Sequence, residues 1–129
     1  MIALDTNIFI YWLEDNPDFY TISADIIKKV HSGIQPASCS VLVLSELYNG
    51  SPQTLDAVSS LPGLSVIDVT TEIAKLAGTL RFKYGVKVID ALHLASAIAS
   101  GADEFITNDR PLAAVKIPKL TIRLLEQSM

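Results

Sequence analysis

The sequence predicts an α/β protein with a mostly parallel central sheet. Short apolar runs of strand length alternate along the chain with longer segments whose apolar residues recur at helical spacing. This alternation is typical of parallel strands joined by helices. Because no break in composition, low-complexity tract or repeat interrupts the pattern, we predict a single domain of residues 1–129, which is long enough to bury one sizeable core.

The first half of the chain contains two predicted strands and three predicted helices. We predict strands at residues 2–4 and 36–40, and helices at residues 7–13, 23–31 and 41–48. The run Ile2 to Leu4 is fully apolar, which indicates a buried strand. Gly33 follows the second helix, as glycine commonly does at a helix end. The turn-forming residues 49–52, Asn-Gly-Ser-Pro, break the third helix.

The second half repeats the alternation. We predict strands at residues 64–69, 104–107 and 120–124, and helices at residues 70–84 and 88–100. The helix at 70–84 begins with Thr70, Thr71 and Glu72, a typical helix start, and Gly85 ends it. In the last strand, apolar side chains alternate with Thr121 and Arg123, which indicates an edge strand.

Four acidic residues lie far apart in sequence, each beside a segment that must be buried. Asp5 and Asp109 follow predicted strands, Glu46 lies in an apolar helix, and Asp90 lies in the first turn of another. Ligands of parallel α/β sheets bind beyond the carboxyl ends of the strands, so all four can reach one crevice. Two carboxylates about 5 Å apart repel by roughly 3 kcal/mol at an effective dielectric of about 20. Because a hard divalent cation removes this penalty, the pattern predicts a site for one or two Mg²⁺ or Mn²⁺ ions.

The charge balance is compatible with such a site. The net charge is −4, which at first argues against a nucleic-acid partner, because phosphate binding normally rests on clustered Lys and Arg. Setting the four acids aside leaves ten acidic side chains against ten Lys and Arg. The excess negative charge therefore equals the predicted site, where bound cations would offset it.

The single cysteine, Cys39, excludes an internal disulfide and is predicted to be a small buried apolar residue. The N-terminus has no basic segment before its apolar residues, and no apolar run is long enough to span a bilayer. We therefore expect a soluble cytoplasmic protein that does not associate with membranes.

Each candidate residue also has a purely structural interpretation. Asp5 and Asp109 could cap the helices that follow them, and this role is compatible with metal binding. Asp90 could simply favour a helix start, where it interacts with the helix dipole. Glu46 has the weakest structural explanation, because its neighbours are apolar. His93 is predicted to be a packed or hydrogen-bonded helix residue, since a site of hard oxygen ligands does not need imidazole.

Four short motifs together resemble the PIN-domain ribonucleases, and most of all the VapC-type toxins of toxin–antitoxin pairs. The motifs are Asp5-Thr6-Asn7, Ser45-Glu46, Asp90-Ala91-Leu92-His93-Leu94-Ala95 and Thr107-Asn108-Asp109. Each motif is weak alone, but their order and spacing match over essentially the whole chain.

The resemblance implies a three-layer α/β/α fold and endonucleolytic cleavage of RNA by a water that Mg²⁺ or Mn²⁺ activates. The family's acidic positions match Asp5, Glu46, Asp90 and Asp109, which are thus the implied catalytic metal ligands. Asn7 and Thr107 match polar positions that orient the acids or a metal-bound water. The resemblance also implies a protein antitoxin and a homodimer. Leu112 departs from the pattern, because many relatives have an aromatic residue there.

Basic residues near the last two acidic motifs are candidates for binding substrate phosphate. They are Arg81, Lys83, Lys87 and Arg110.

Two other classes of function share features with this sequence. A phosphatase of the haloacid dehalogenase type needs a second Asp two positions after the first, and this chain has Asn7 there. A non-catalytic RNA-binding or protein-binding module on the same fold remains open, because sequence does not show turnover.

Overall fold

The computed structural model describes residues 1–128, so Met129, the last residue of the predicted domain, lies outside the described residues. The strands are β1 (Ile2–Leu4), β2 (Ala37–Ser40), β3 (Leu64–Ile67), β4 (Glu104–Thr107) and β5 (Thr121–Leu124). The helices are α1 (Thr6–Leu13), α2 (Tyr20–His31), α3 (Leu42–Leu47), α4 (Pro52–Ser59), α5 (Thr71–Tyr84), α6 (Val88–Ala99) and α7 (Arg110–Ala113). A 3-10 turn (Leu125–Ser128) follows β5.

The five strands form one sheet in the order β3-β2-β1-β4-β5. All four neighbouring pairs are parallel, which confirms the predicted sheet, and β5 lies at an edge as expected. From β1 the chain proceeds through β2 to β3 on one side, and then returns to place β4 on the other side of β1. The order of strands thus reverses between β1 and β4, and in open α/β sheets this is where ligands bind.

Helices cover both faces of the sheet and give the three-layer arrangement. Ile2 and Leu4 of β1 belong to a hydrophobic core that they form with residues of α1 to α4. Ala3, between them, faces a second core formed with α5, α6 and α7. Successive side chains of a strand point to opposite faces, so this short strand contributes to both cores. Because β1 is buried on both faces, its position in the sheet is fixed. The position of Asp5, the residue that follows it, is fixed with it.

Two helices are absent from the predicted elements. The residues 49–52 do end α3, but Pro52 is also the first residue of α4. Proline is favoured there, because its missing N–H would have no partner in the first turn of a helix. The second helix, α7, has only four residues and begins directly after Asp109. It is too short to give an apolar periodicity that could be detected in the sequence.

The thiol of Cys39 is buried, and burial raises its pKa to about 12. It therefore behaves as the predicted apolar residue rather than as a reactive thiol. Among residues 1–128, no helix is both long and apolar enough to cross a bilayer.

Gly63 is the glycine whose replacement is expected to destabilise the fold most. It has a φ of 83°, and a Cβ added there would lie 2.2 Å from the backbone oxygen of Val30. We expect Gly63→Ala to lower the free energy of unfolding by about 2–4 kcal/mol, through backbone strain and overlap with α2. Urea denaturation followed by circular dichroism measures the change.

Gly33→Ala is the matched control. Gly33 has nearly the same φ, 82°, but nothing lies within 4 Å of an added Cβ. The control should therefore cost only about 1–2 kcal/mol, the penalty of the left-handed conformation. Equal losses in the two variants would contradict the proposed overlap with Val30.

Candidate active site

The four acidic residues approach the reversal point of the sheet from two strands and two helices. Asp5 follows β1 directly, and Asp109 follows Thr107, the last residue of β4, after one further residue. These two strands are paired, so their carboxyl ends lie side by side. Glu46 projects from α3, and Asp90 lies in the first turn of α6, as predicted.

Asp5 is buried and held through both carboxylate oxygens. Its Oδ1 accepts a hydrogen bond of 2.8 Å from the backbone N–H of Thr6, which caps α1. Its Oδ2 accepts a bond of 2.7 Å from the hydroxyl of Thr107. Burial is the main cause that raises the pKa of Asp5, although both hydrogen bonds lower it. The carboxylate is therefore fixed in orientation but costly to ionise.

The pKa of Asp90 responds to the charges of two other aspartates. Burial raises the pKa of Asp90 first, and the negative charges of Asp5 and Asp109 raise it further. A like charge has such an effect only when it is near. These three residues, from the ends of β1 and β4 and the start of α6, therefore lie near enough for their charges to interact.

Thr107 connects two of the aspartates. Its hydroxyl donates to Asp5 and also accepts a bond of 3.1 Å from the backbone N–H of Asp109. The Asp109 side chain is exposed, and its Oδ1 accepts a bond of 3.0 Å from the N–H of Leu112 at the start of α7. Like Asp5, Asp109 thus combines a helix cap with a place at the reversal point, and its Oδ2 remains available.

Glu46 is held by two residues that the sequence did not assign to the site. Its Oε1 accepts a bond of 2.7 Å from the hydroxyl of Thr6 and lies 2.6 Å from Nε2 of His93. Because an ionised carboxylate only accepts hydrogen bonds, the imidazole donates through Nε2. His93 is buried, as expected of a packed helix residue, yet its partner is Glu46. The only sequence signals were that Thr6 follows Asp5 and that His93 lies one helical turn after Asp90.

Asn7 contributes an oxygen that has no protein partner. Its Oδ1 is buried without a hydrogen bond from any residue in the described part of the chain. Most buried polar atoms in proteins are paired, so an orphaned amide oxygen calls for a ligand or a water. It lies two positions after Asp5, at the first turn of α1.

The donor set fits a hard divalent cation. Carboxylate and amide oxygens are the ligands that Mg²⁺ and Mn²⁺ prefer. The acids offer the first kind, and Asn7, two positions after Asp5, carries an orphaned oxygen of the second kind. Within residues 1–128, no three Asp, Glu, His or Cys side chains are already arranged as a metal cluster. The side chains that would hold an ion would therefore have to rotate to close on it.

Two pockets are lined by acidic residues of the candidate site. The larger, about 390 Å³, is lined by Asp90 and Asp109 together with Tyr84, Val86, Lys87 and Val115, and we call it the flanking pocket. The smaller, about 230 Å³, contains Glu46, Glu14 and Tyr48 between α1 and α3.

The basic residues predicted to bind phosphate are placed differently from one another. Lys87 lines the flanking pocket itself. Arg81 lies in a neighbouring exposed groove that shares Gly85 and Val86 with that pocket. Arg110 forms an ion pair with Glu126. Lys83, the fourth candidate, is exposed on α5 and lines neither pocket. Of the four, Lys87 is thus the one that lines a pocket together with the aspartates.

The raised pKa of Asp90 gives a prediction about stability. A carboxyl group that binds its proton more tightly in the folded state loses stability as the pH rises from its ordinary pKa of about 4 through the raised value. At pH 7 the wild type carries the whole penalty, and an asparagine carries none. We therefore expect Asp90→Asn to raise the melting temperature at pH 7 in EDTA, with an advantage that shrinks towards pH 4.

The control for this experiment is Asp56→Asn on the exposed surface of α4. Its melting temperature should follow that of the wild type at every pH. An Asp90→Asn protein that is less stable than the wild type at pH 7 without metal would show that the aspartates do not repel one another.

The fold and the site define a class of protein, a parallel α/β domain with acids gathered at the reversal point of its sheet. The family model for the PIN domain matches residues 2–118, and the chain belongs to this family. No curated protein sequence matches the chain.

Three solved structures show the same fold. One is a toxin–antitoxin complex from Klebsiella pneumoniae, with 22% identity and a TM-score of 0.72 over 94% of this chain and 96% of the other. Another is VapBC2 from Rickettsia felis bound to a DNA fragment from its promoter, with 25% identity and a TM-score of 0.69 over 96% and 98%. The third is DNA-bound VapBC from Salmonella typhimurium, with 22% identity and a TM-score of 0.69 over 96% and 97%.

Proposed function

We propose that this protein is a Mg²⁺-dependent or Mn²⁺-dependent endoribonuclease and the VapC-type toxin of a toxin–antitoxin pair. The observation that carries the proposal is the placement of Asp5, Asp90 and Asp109 at the reversal point of the sheet, where burial and then the charges of Asp5 and Asp109 raise the pKa of Asp90. Membership of the PIN family supports it, as does the likeness to VapBC complexes.

In this proposal the protein positions the metal and the substrate and forms no covalent bond with the substrate. A bound Mg²⁺ or Mn²⁺ would supply the positive charge that acidifies a water and offsets the charge of the phosphate. Asp5 and Asp90 are the proposed direct ligands, and Asp109 binds directly or through a water. Binding a metal ion would cost Asp5 little side-chain entropy, because hydrogen bonds with Thr6 and Thr107 already fix its carboxylate.

Glu46 is the proposed fourth ligand, or the group that orients the attacking water. Thr6 and His93 both donate to its Oε1. They hold the carboxylate in one orientation, so that Oε2 is the oxygen available to the site. Asn7 is proposed to orient a water or a ligand through its orphaned oxygen, and Thr107 to orient Asp5.

Partners follow from the same proposal. The acidic pocket suits a basic side chain of a protein antitoxin, which would block it. A homodimer is supported by an exposed apolar group on α5 and α6, namely Phe82, Val88 and Ile89. The buried, unpaired thiol of Cys39 suits the reducing cytoplasm as the place of action.

The test is cleavage of a panel of RNAs by the purified protein. We expect internal cuts with Mg²⁺ or Mn²⁺, none in EDTA, and recovery when the metal is restored. Purification in high salt with repeated chromatography, and an Asp5→Asn protein prepared in parallel, control for contaminating ribonucleases. If the wild type and Asp5→Asn cleave equally, the activity does not belong to this site.

A non-catalytic RNA-binding module is the second candidate. It is favoured by the absence, within residues 1–128, of three side chains already arranged as a metal cluster. RNA binding that is equal in EDTA and in Mn²⁺, with no cleavage of any RNA in the panel, would establish it in place of the nuclease.

A further inference from the structure

We infer that the flanking pocket binds a nucleoside next to the scissile phosphate and so sets which RNA sequence is cut. This inference rests on the proposed nuclease function. The pocket is continuous with the candidate site, because Asp90 and Asp109 belong to both. A phosphate held at these acids has its neighbouring sugar and base at the mouth of the pocket. The volume of about 390 Å³ lies in the range of roughly 300–1,000 Å³ typical of small-molecule sites.

The walls of the pocket suit a nucleobase. Val86 and Val115 are half-buried and Leu112 is buried, so they offer apolar surface that a flat base can cover. Tyr84, at the last position of α5, adds a half-buried aromatic side chain. Stacking on an aromatic side chain is a usual way to bind a base of single-stranded RNA, because every base has a π-face.

With a cation bound at the acids, the charges around the pocket would favour a phosphate-bearing ligand. Lys87 lies at the N-cap of α6, exposed to solvent and close enough to Asp90 to lower the pKa of that carboxyl group. With metal bound, the charges of Asp90 and Asp109 are offset, and Lys87 remains as a positive charge at the rim. This arrangement would attract the phosphate that follows the base, whereas the metal-free aspartates suit the basic side chain proposed for the antitoxin.

The test fills the pocket from its accessible side. Val115→Phe places a larger side chain in the pocket and reduces its free volume, and it replaces no acidic residue. We expect KM to rise about 10-fold on the preferred RNA, and the nucleotide preference beside the cut to change when a random-sequence RNA is cleaved and its ends are sequenced. Tyr84→Leu removes the aromatic side chain and should alter the same nucleotide position, so the inference does not depend on one variant folding well.

Ile34→Phe is the matched control. Ile34 is 77% exposed and precedes the amino end of β2, whereas Asp5 and Asp109 follow the carboxyl ends of their strands. Its cleavage profile and KM should equal those of the wild type. Circular dichroism and melting temperature establish that all three variants are folded before cleavage is compared.

The outcomes separate this inference from the proposed function. A wild type that cuts no RNA with Mn²⁺ overturns both. A wild type that cuts RNA, with unchanged KM and nucleotide preference in folded Val115→Phe and Tyr84→Leu, overturns only the nucleoside pocket. N-acetyl-arginine amide serves as a probe for a cationic occupant. If it competes with RNA in the wild type but not in Val115→Phe, and the nucleotide preference is unchanged, the pocket takes a protein side chain instead.

Discussion

Asp5→Asn is expected to lower the rate of metal-dependent RNA cleavage by at least about 100-fold, or roughly 3 kcal/mol of transition-state stabilisation, without unfolding the protein. The reason lies in the two hydrogen bonds of this side chain. An asparagine keeps an oxygen to accept the bond from the N–H of Thr6. Its amide group replaces Oδ2, and the hydroxyl of Thr107 can rotate to accept from it. Only the negative charge is lost.

Two measurements distinguish this loss of charge from a loss of structure. Single-turnover cleavage gives the rate, and isothermal titration with Mn²⁺ gives the metal affinity, which should fall together with the rate. Asp5→Ala is the contrasting variant. It also loses the cap of α1 and should be about 1 kcal/mol less stable than Asp5→Asn. Full activity of Asp5→Asn would remove Asp5 from the metal site and would refute the proposed mechanism.

The fold was predictable because local patterns and burial agree in most of this chain. The strand at Ile2–Leu4 is entirely apolar, and in the structure it is central and buried on both faces. Leu64–Ile67 also form a strand, as predicted, but it ends two residues earlier than the prediction of 64–69. The helix α4 was missed because Pro52 follows three turn-forming residues, so a helix start and a helix break have the same appearance in sequence.

The site was predictable only in part, for a different physical reason. The positions of Asp5 and Asp109 follow from where strands end, which is a local property. The contact between His93 and Glu46 joins residues 47 positions apart, and it depends on where the tertiary fold places α3 relative to α6. No periodicity or motif encodes that distance. The acidic residues of the site could therefore be identified from the sequence. The groups that orient them could be identified only from the structure.

The contact with Glu46 leads to the second large effect that we expect, on replacing His93. His93→Leu keeps much of the buried volume but removes the Nε2 donor, so that Oε1 of Glu46 retains only its bond from Thr6. Groups that orient a metal ligand typically contribute 10-fold to 100-fold to metal affinity or activity. We expect losses of about this size in Mn²⁺ affinity and in the cleavage rate.

His93→Gln is the variant that separates orientation from packing. Its amide N–H₂ can reach about the position of Nε2 and still donate to Glu46. We expect it to keep Mn²⁺ affinity and cleavage within about 5-fold of the wild type, even though glutamine packs less well than leucine in an apolar interior. If packing alone mattered, the order would reverse, and activity would follow the free energy of unfolding, with His93→Leu the more active protein.

A double-mutant cycle with Thr6→Val completes the argument, because both donors act on the same oxygen. If each only holds Glu46 in place, the second substitution should cost much less than the first, since the carboxylate is already free to turn. Strictly additive losses in Mn²⁺ affinity would mean that Thr6 and His93 act independently, and that the orientation of Glu46 is not what they share. The coupling energy thus tests whether Glu46 functions as a fixed group, which the geometry around its Oε1 requires.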